Sequence, residues 1–85
     1  MKPVLFFAEL CPDTAPFVAE LNRLGVEYEA VEIMSSLANF KRFLTLRDHH
    51  SAFENAKAKG YIGIPALVLG NEVYLNVSEL ATLFK

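Results

Sequence analysis

Only one cysteine, Cys11, occurs in the sequence. An internal disulfide is thereby excluded, and with it the stapled, loop-rich scaffolds of small secreted domains. Basic charge is also scarce: eight Lys and Arg face ten Asp and Glu, for a formal net charge of −2. Both signs are scattered, so no basic stripe forms that could neutralise phosphates, and nucleic-acid binding is not expected. Long hydrophobic runs are missing too. The apolar run Val4-Leu5-Phe6-Phe7-Ala8 stops at Glu9, far short of the ~20 residues that span a bilayer. It meets no small-residue cleavage site either, so a cytoplasmic chain with no membrane partner is expected. Without repeats, low-complexity tracts or linkers, the 85 residues read as one domain, 1–85.

What is present is apolar material, 53% of the residues, including seven Phe. A chain of this length buries about 60–65% of its unfolded surface, and this composition supplies the core for that. Val4 to Ala8 suits a central strand covered on both faces. Phe17, Val18, Leu21 and Leu24 then recur at helical spacing, and Gly25 follows where a left-handed residue ends a helix. Residues 26–33 mix β-branched and charged side chains, as a strand nearer an edge does.

Ser35 or Ser36 caps a second helix, whose inward face is predicted to carry Leu37, Phe40 and Leu44, with Asp48 to Ser51 interrupting it. Ser51-Ala52-Phe53-Glu54 has the spacing of a capping box and opens a short helix ending at Gly60. Ala66 to Leu69, Gly70-Asn71 and Glu72 to Leu75 read as a tight hairpin, with Gly and Asn tolerating positive φ. Asn76 to Glu79 is a second capping box, opening a helix predicted to bury Val77, Leu80, Ala81 and Phe84. The order is β-α-β-α-β-β-α. Strands joined through a helix run parallel with a right-handed crossover, and the hairpin adds antiparallel strands. An α/β fold with a four-stranded mixed sheet and helices on both faces follows.

Cys11 falls where the first strand gives way to the first helix. That junction gathers unpaired N–H groups and the positive end of the helix dipole, which favour a thiolate over a thiol. Pro12 fits a first helical turn. Thr14, three residues on, is in reach of the sulfur, and its hydroxyl is expected to donate to the thiolate. Pro16 leaves two possibilities. A helix capped at Cys11 would lose a backbone bond at Pro16, whereas capping at Asp13 or Thr14 places Pro16 in the first turn and moves the dipole away from Cys11. Buried core packing is the ordinary fate of a lone cysteine; strand end, adjacent Pro and following helix favour a functional thiol here.

Cys11-Pro12-Asp13-Thr14 resembles the Cys-Pro-x-Cys motif of glutaredoxins. Ile64-Pro65, 54 positions beyond Cys11, resembles their Thr-Val-Pro segment, whose cis proline faces the active cysteine. The element order agrees over essentially the whole chain. The resemblance implies a thioredoxin-like (glutaredoxin) fold with sheet order 2-1-3-4. It implies a glutathione-linked thiol–disulfide oxidoreductase with Cys11 as nucleophile and Thr14 as thiolate stabiliser. Pro12, Ile64 and Pro65 would shelve the substrate, the Ile64 backbone pairing with glutathione or an extended peptide.

Thr14 stands where dithiol members have a second cysteine, so only a monothiol route remains, with glutathione as co-substrate. Ala8 and Ile62 stand where the family has cations for glutathione's glycine carboxylate, leaving Arg42 and Arg47 as substitutes. Leu75-Asn76 replaces the family's Gly-Gly turn, and Ser78-Glu79 replaces the polar pair that holds the γ-glutamyl end, whose carboxylate helix N-terminal amides would receive; simple helix capping is the favoured alternative for that pair. Adjacent His49 and His50 point apart, and no third ligand has fitting spacing, so no metal is expected. Cys-Pro-Asp-Thr is not the Cys-Gly-Phe-Ser motif of iron–sulfur relatives. Tyr61 either lines a substrate groove or packs as a core aromatic. Two other readings stand beside the enzyme: a non-catalytic glutathione- or peptide-binding module, and a redox sensor glutathionylated at Cys11.

Overall fold

In the computed structural model, which describes residues 2–84, the first apolar run forms β1 (Val4–Phe7). Its side chains alternate between two covered faces, Val4 and Phe6 entering one core, Leu5 and Phe7 the other. α1 (Thr14–Arg23) follows. It ends in a Schellman turn: Gly25 takes φ 69°, its N–H donates to the Asn22 carbonyl, and the Val26 N–H donates to the Leu21 carbonyl at 3.0 Å. β2 (Glu29–Glu32) pairs parallel to β1 with Val4 opposite Glu29, and forms one sheet edge.

α2 (Leu37–His49) starts at Ser36, whose hydroxyl accepts the Asn39 N–H. It runs straight through Asp48 and His49, which were expected to interrupt it, and stops at His50. Its inward face is also rotated from the expected one. Phe43 is completely buried, its ring 5.7 Å from that of Phe6 and 5.8 Å from that of Phe53. Leu37 is 67% exposed, while Phe40 and Leu44 are half-buried. The pocket between the Phe6 and Phe53 rings takes the ring at position 43. This turns the 37–40–44 stripe about a quarter turn away from the sheet.

A single 3-10 turn (Ser51–Phe53) leads into α3 (Glu54–Lys59), which ends at Gly60 with φ 75°. The cap there is His50 rather than Ser51. Nδ1 of His50 accepts the Ala52 N–H at 3.0 Å, which places the proton on Nε2, and Nε2 donates to the Asn71 carbonyl at 2.7 Å. This histidine ties the α2–α3 junction to the hairpin of β3 (Ala66–Leu69) and β4 (Glu72–Tyr74). In the hairpin turn only Gly70 adopts positive φ, at 62°; Asn71 does not. A second 3-10 turn (Val77–Glu79) precedes the four-residue α4 (Leu80–Leu83). This helix buries Leu80 alone; Val77 and Ala81 are exposed and Phe84 is half-buried. The reason is its length: barely one turn has a single inward position.

The sheet order is β2-β1-β3-β4, with β1 parallel to β2 and antiparallel to β3, the expected mixed arrangement. One core, with Phe6, Phe43 and Phe53, lies between the sheet and α2. The other, with Leu5, Phe17, Leu21, Leu67 and Leu80, lies between the sheet and the α1–α4 pair. No helix among the described residues is long and apolar enough to cross a membrane.

Candidate functional site

β1 ends at Phe7, and the six-residue loop 8–13 carries Cys11 across to α1. Two backbone bonds tighten that loop: the Cys11 N–H donates to the Ala8 carbonyl at 3.0 Å, and the Thr14 N–H donates to the Cys11 carbonyl at 3.1 Å. A third tie comes from β2. The Glu32 carboxylate accepts the Glu9 N–H at 3.0 Å on one oxygen and the Met34 N–H on the other. It staples the loop bearing Cys11 to the segment after β2. Nothing in the sequence singled out Glu32, an ordinary charge at an edge-strand end.

α1 is capped at Asp13, so Pro16 falls in its first turn, where a missing N–H costs nothing. Cys11 therefore lies two residues ahead of the cap, and Pro12 is an exposed loop residue rather than a member of the first turn. The bond expected from Thr14 to the sulfur is not made. Thr14 is 8% exposed, and its one hydroxyl proton goes to the Ala8 carbonyl at 2.7 Å. Thr14 anchors the loop to the end of β1 instead.

Cys11 is half-buried, and its Sγ lies 3.9 Å from the Ile64 carbonyl oxygen, 53 residues away in the chain. The Ile64–Pro65 peptide bond is cis, and Pro65 is buried. Just before it, Gly63 adopts φ 96°, and a Cβ there would come 2.7 Å from the Phe53 ring. No larger residue fits without displacing that ring.

Arg47 holds the same loop from α2. Its Nε donates to the Ile62 carbonyl at 2.7 Å and its Nη2 to the Tyr61 carbonyl at 2.6 Å. Arg42 pairs with Glu29 at 3.1 Å and lies over the Phe6 ring, 5.4 Å from its centroid. Both candidate cations thus have partners within the chain. Ser78 and Glu79 are exposed in the 3-10 turn beside α1. Glu79 accepts from the Asn76 side-chain amide at 3.1 Å, so the reciprocal capping box is not formed. The helix they precede is too short to offer the row of amides expected to receive a carboxylate. His50 is occupied structurally at both ring nitrogens, and His49 Nδ1 lies 2.8 Å from the Thr45 carbonyl.

A groove of about 200 Å³ has Ala8 and Ile64, the two residues whose carbonyls face Cys11, among its walls. Ala8, Ile64, Phe40 and Leu44 line it, Arg47 contributes its stem, and Tyr61, 63% exposed, stands on its rim. Of the two readings of Tyr61 the groove is the one found, while Phe40 and Leu44, expected in the core, line the groove as well. A larger, open hollow of about 490 Å³ lies at the opposite end of the sheet, between Pro3, Gly25 and Phe84.

The chain is similar to an uncharacterized protein of Haemophilus influenzae, 62% identical over 84 residues that make up 98% of each chain. It belongs to the family which that protein represents. No family model matches the sequence.

Proposed function

We propose that this protein is a monothiol thiol–disulfide exchange enzyme of the thioredoxin fold, glutaredoxin-like, with glutathione as co-substrate in a reducing cytoplasm. The observation that carries the reading is the position of Cys11. The one thiol of the chain stands half-exposed where β1 hands over to α1, with Sγ 3.9 Å from the Ile64 carbonyl beside Pro65. The sheet order and the helices on both faces support the same reading.

In the reaction, the Cys11 thiolate attacks the glutathione sulfur of a glutathionylated polypeptide. The Cys11–glutathione disulfide forms as the old disulfide breaks, and the polypeptide leaves as a thiolate that takes a proton from water. A second glutathione thiolate then attacks the glutathione sulfur of that mixed disulfide. Cys11 departs as thiolate and oxidised glutathione is released. The net change is one glutathionylated thiol and one glutathione converted to a free thiol and oxidised glutathione. Ile64 and Pro65 form the shelf against which the bound sulfur is held.

The experiment is deglutathionylation of a glutathionylated model protein by wild type and by Cys11→Ser. Loss of turnover in the variant is expected; equal rates end the catalytic reading. The binding-module reading gains from the commitment of Thr14 to Ala8, which leaves the sulfur without a hydroxyl donor. It predicts a glutathione-dependent rise in melting temperature without any turnover by wild type.

A further inference from the structure

We propose that the groove that shares Ala8 and Ile64 with the Cys11 site docks an apolar side chain of a basic polypeptide segment, and that glutathionylated cysteines in such segments are the substrates of this thiol. The proposal rests on the exchange reading above and names its substrate class. Groove and cysteine site share two walls. The Ala8 carbonyl accepts the Cys11 N–H, the Ile64 carbonyl faces Sγ at 3.9 Å, and both residues line the groove. Around this hollow large apolar side chains stand in water: Met34 is 61% exposed, Tyr61 63% and Ile62 56%. Leu10, next to the cysteine, is 90% exposed. Apolar groups clustered about one concavity are what a docking surface needs. At about 200 Å³ the space is below that of a typical small-ligand cavity and suits one large side chain.

Charge selects the occupant. Glu9 and Asp13 flank Cys11 two residues to either side, both exposed, and the Glu32 carboxylate is fastened to the Glu9 N–H. The cation on the groove wall, Arg47, already directs Nε and Nη2 at two carbonyls. A segment carrying Lys or Arg next to its cysteine meets complementary charge.

The test uses the full chain with Cys11→Ser, which removes the chemistry and leaves the groove. The probe is a fluorescein-labelled peptide, acetyl-Lys-Phe-Ser-Leu-Lys-amide, read by anisotropy. Controls are the same peptide with both lysines changed to Glu, the same peptide with Phe and Leu changed to Ser, and S-methylglutathione. The basic apolar peptide is expected to bind, with affinity falling about tenfold or more for either control peptide and for Ile62→Ser. Tyr61→Ser, also at an exposed position, repeats the test should Ile62→Ser misfold. Equal binding of the three peptides, no binding at millimolar concentration, or stronger binding of S-methylglutathione overturns the proposal. A concentration-dependent dimer that Ile62→Ser dissolves assigns the groove to a second copy and overturns it as well.

Failure of the exchange reading is read separately. Wild type that cannot exchange with the glutathionylated Cys version of the peptide, while Cys11→Ser binds the Ser version, refutes exchange and leaves docking standing. Equal exchange with the basic apolar and acidic polar versions refutes docking alone.

Discussion

Replacing Arg47 by Met keeps the aliphatic stem that lines the groove and deletes both hydrogen bonds to the Tyr61–Ile62 loop. The bonds are 2.6 and 2.7 Å long and involve a charged donor, the kind worth about 1.5–3 kcal/mol each when their partners are buried. Tyr61 and Ile62 are more than half exposed, so water replaces the guanidinium on their carbonyls and the net loss falls to about 1–2 kcal/mol in total. For a domain of this size that corresponds to a drop of about 4–16 °C in melting temperature. Arg47→Lys supplies a single donor without the fork and should recover about half of the loss at most. Urea denaturation gives the comparison, with an unchanged slope showing that the unfolded state is unaltered. The same substitution frees the loop that sets the Ile64 carbonyl opposite Cys11, so under the proposed reaction exchange should slow even at temperatures where the variant is fully folded. A Met variant as stable as wild type, or a Lys variant indistinguishable from it, refutes the assignment of Arg47 as the anchor of this loop.

Three further outcomes follow from the same contacts. Phe43→Ala, at the meeting point of the Phe6 and Phe53 rings, should cost about 3–5 kcal/mol, whereas Leu37→Ala on the same helix should stay within about 0.5 kcal/mol; equal costs in denaturant melts would show that α2 faces the sheet otherwise. Thr14→Val removes the hydroxyl that donates to Ala8 and should cost about 1 kcal/mol while leaving the alkylation rate of Cys11 unchanged, and a changed rate would restore Thr14 to the sulfur. Glu20 receives both Nε and Nη2 of Arg23, which holds its carboxyl below the usual range. A depressed folded value means that this pair stabilises the protein above the ordinary carboxylate range and that the contribution is lost as pH falls through the folded value. NMR titration should show the low midpoint, and Arg23→Gln should raise it; no movement would deny the pair its role.

The strands were legible because each rests on local chemistry, whereas their order was expected only from the family resemblance. Val4 to Ala8 is apolar at every position, so it belongs in the middle of a sheet, and Gly70 permits the tight turn that pairs β3 with β4. Helix rotation was not legible in the same way. On α2 both the 37–40–44 stripe and the stripe through Phe43 and Leu46 have helical spacing, and periodicity alone weighs them equally. The choice is made by two rings from other parts of the chain, Phe6 and Phe53, which no window around residue 43 contains. The caps failed for a related reason. Ser51 and Asn76 have the right spacing for capping boxes, but the His50 ring reaches the Ala52 N–H first, and the Asn76 amide turns to the Glu79 carboxylate.

Around the cysteine, main-chain groups take roles that were sought in side chains. Ala8 and Ile62 were read as positions that had lost a cation. In the folded chain the Ala8 carbonyl receives both the Cys11 N–H and the Thr14 hydroxyl, and the Ile62 carbonyl receives Arg47. A carbonyl is indifferent to the side chain it accompanies, so sequence could not mark these two residues as structural parts of the site. The sulfur is held by three segments that are far apart in the chain: Ala8 through the backbone, Glu32 through the Glu9 amide, and Ile64 facing Sγ across 53 residues. Its surroundings therefore depend on the β2-β1-β3 register as much as on Cys11-Pro12-Asp13-Thr14. Local motif and sheet register are separate requirements, and only their coincidence sets the Cys11 sulfur 3.9 Å from the Ile64 carbonyl.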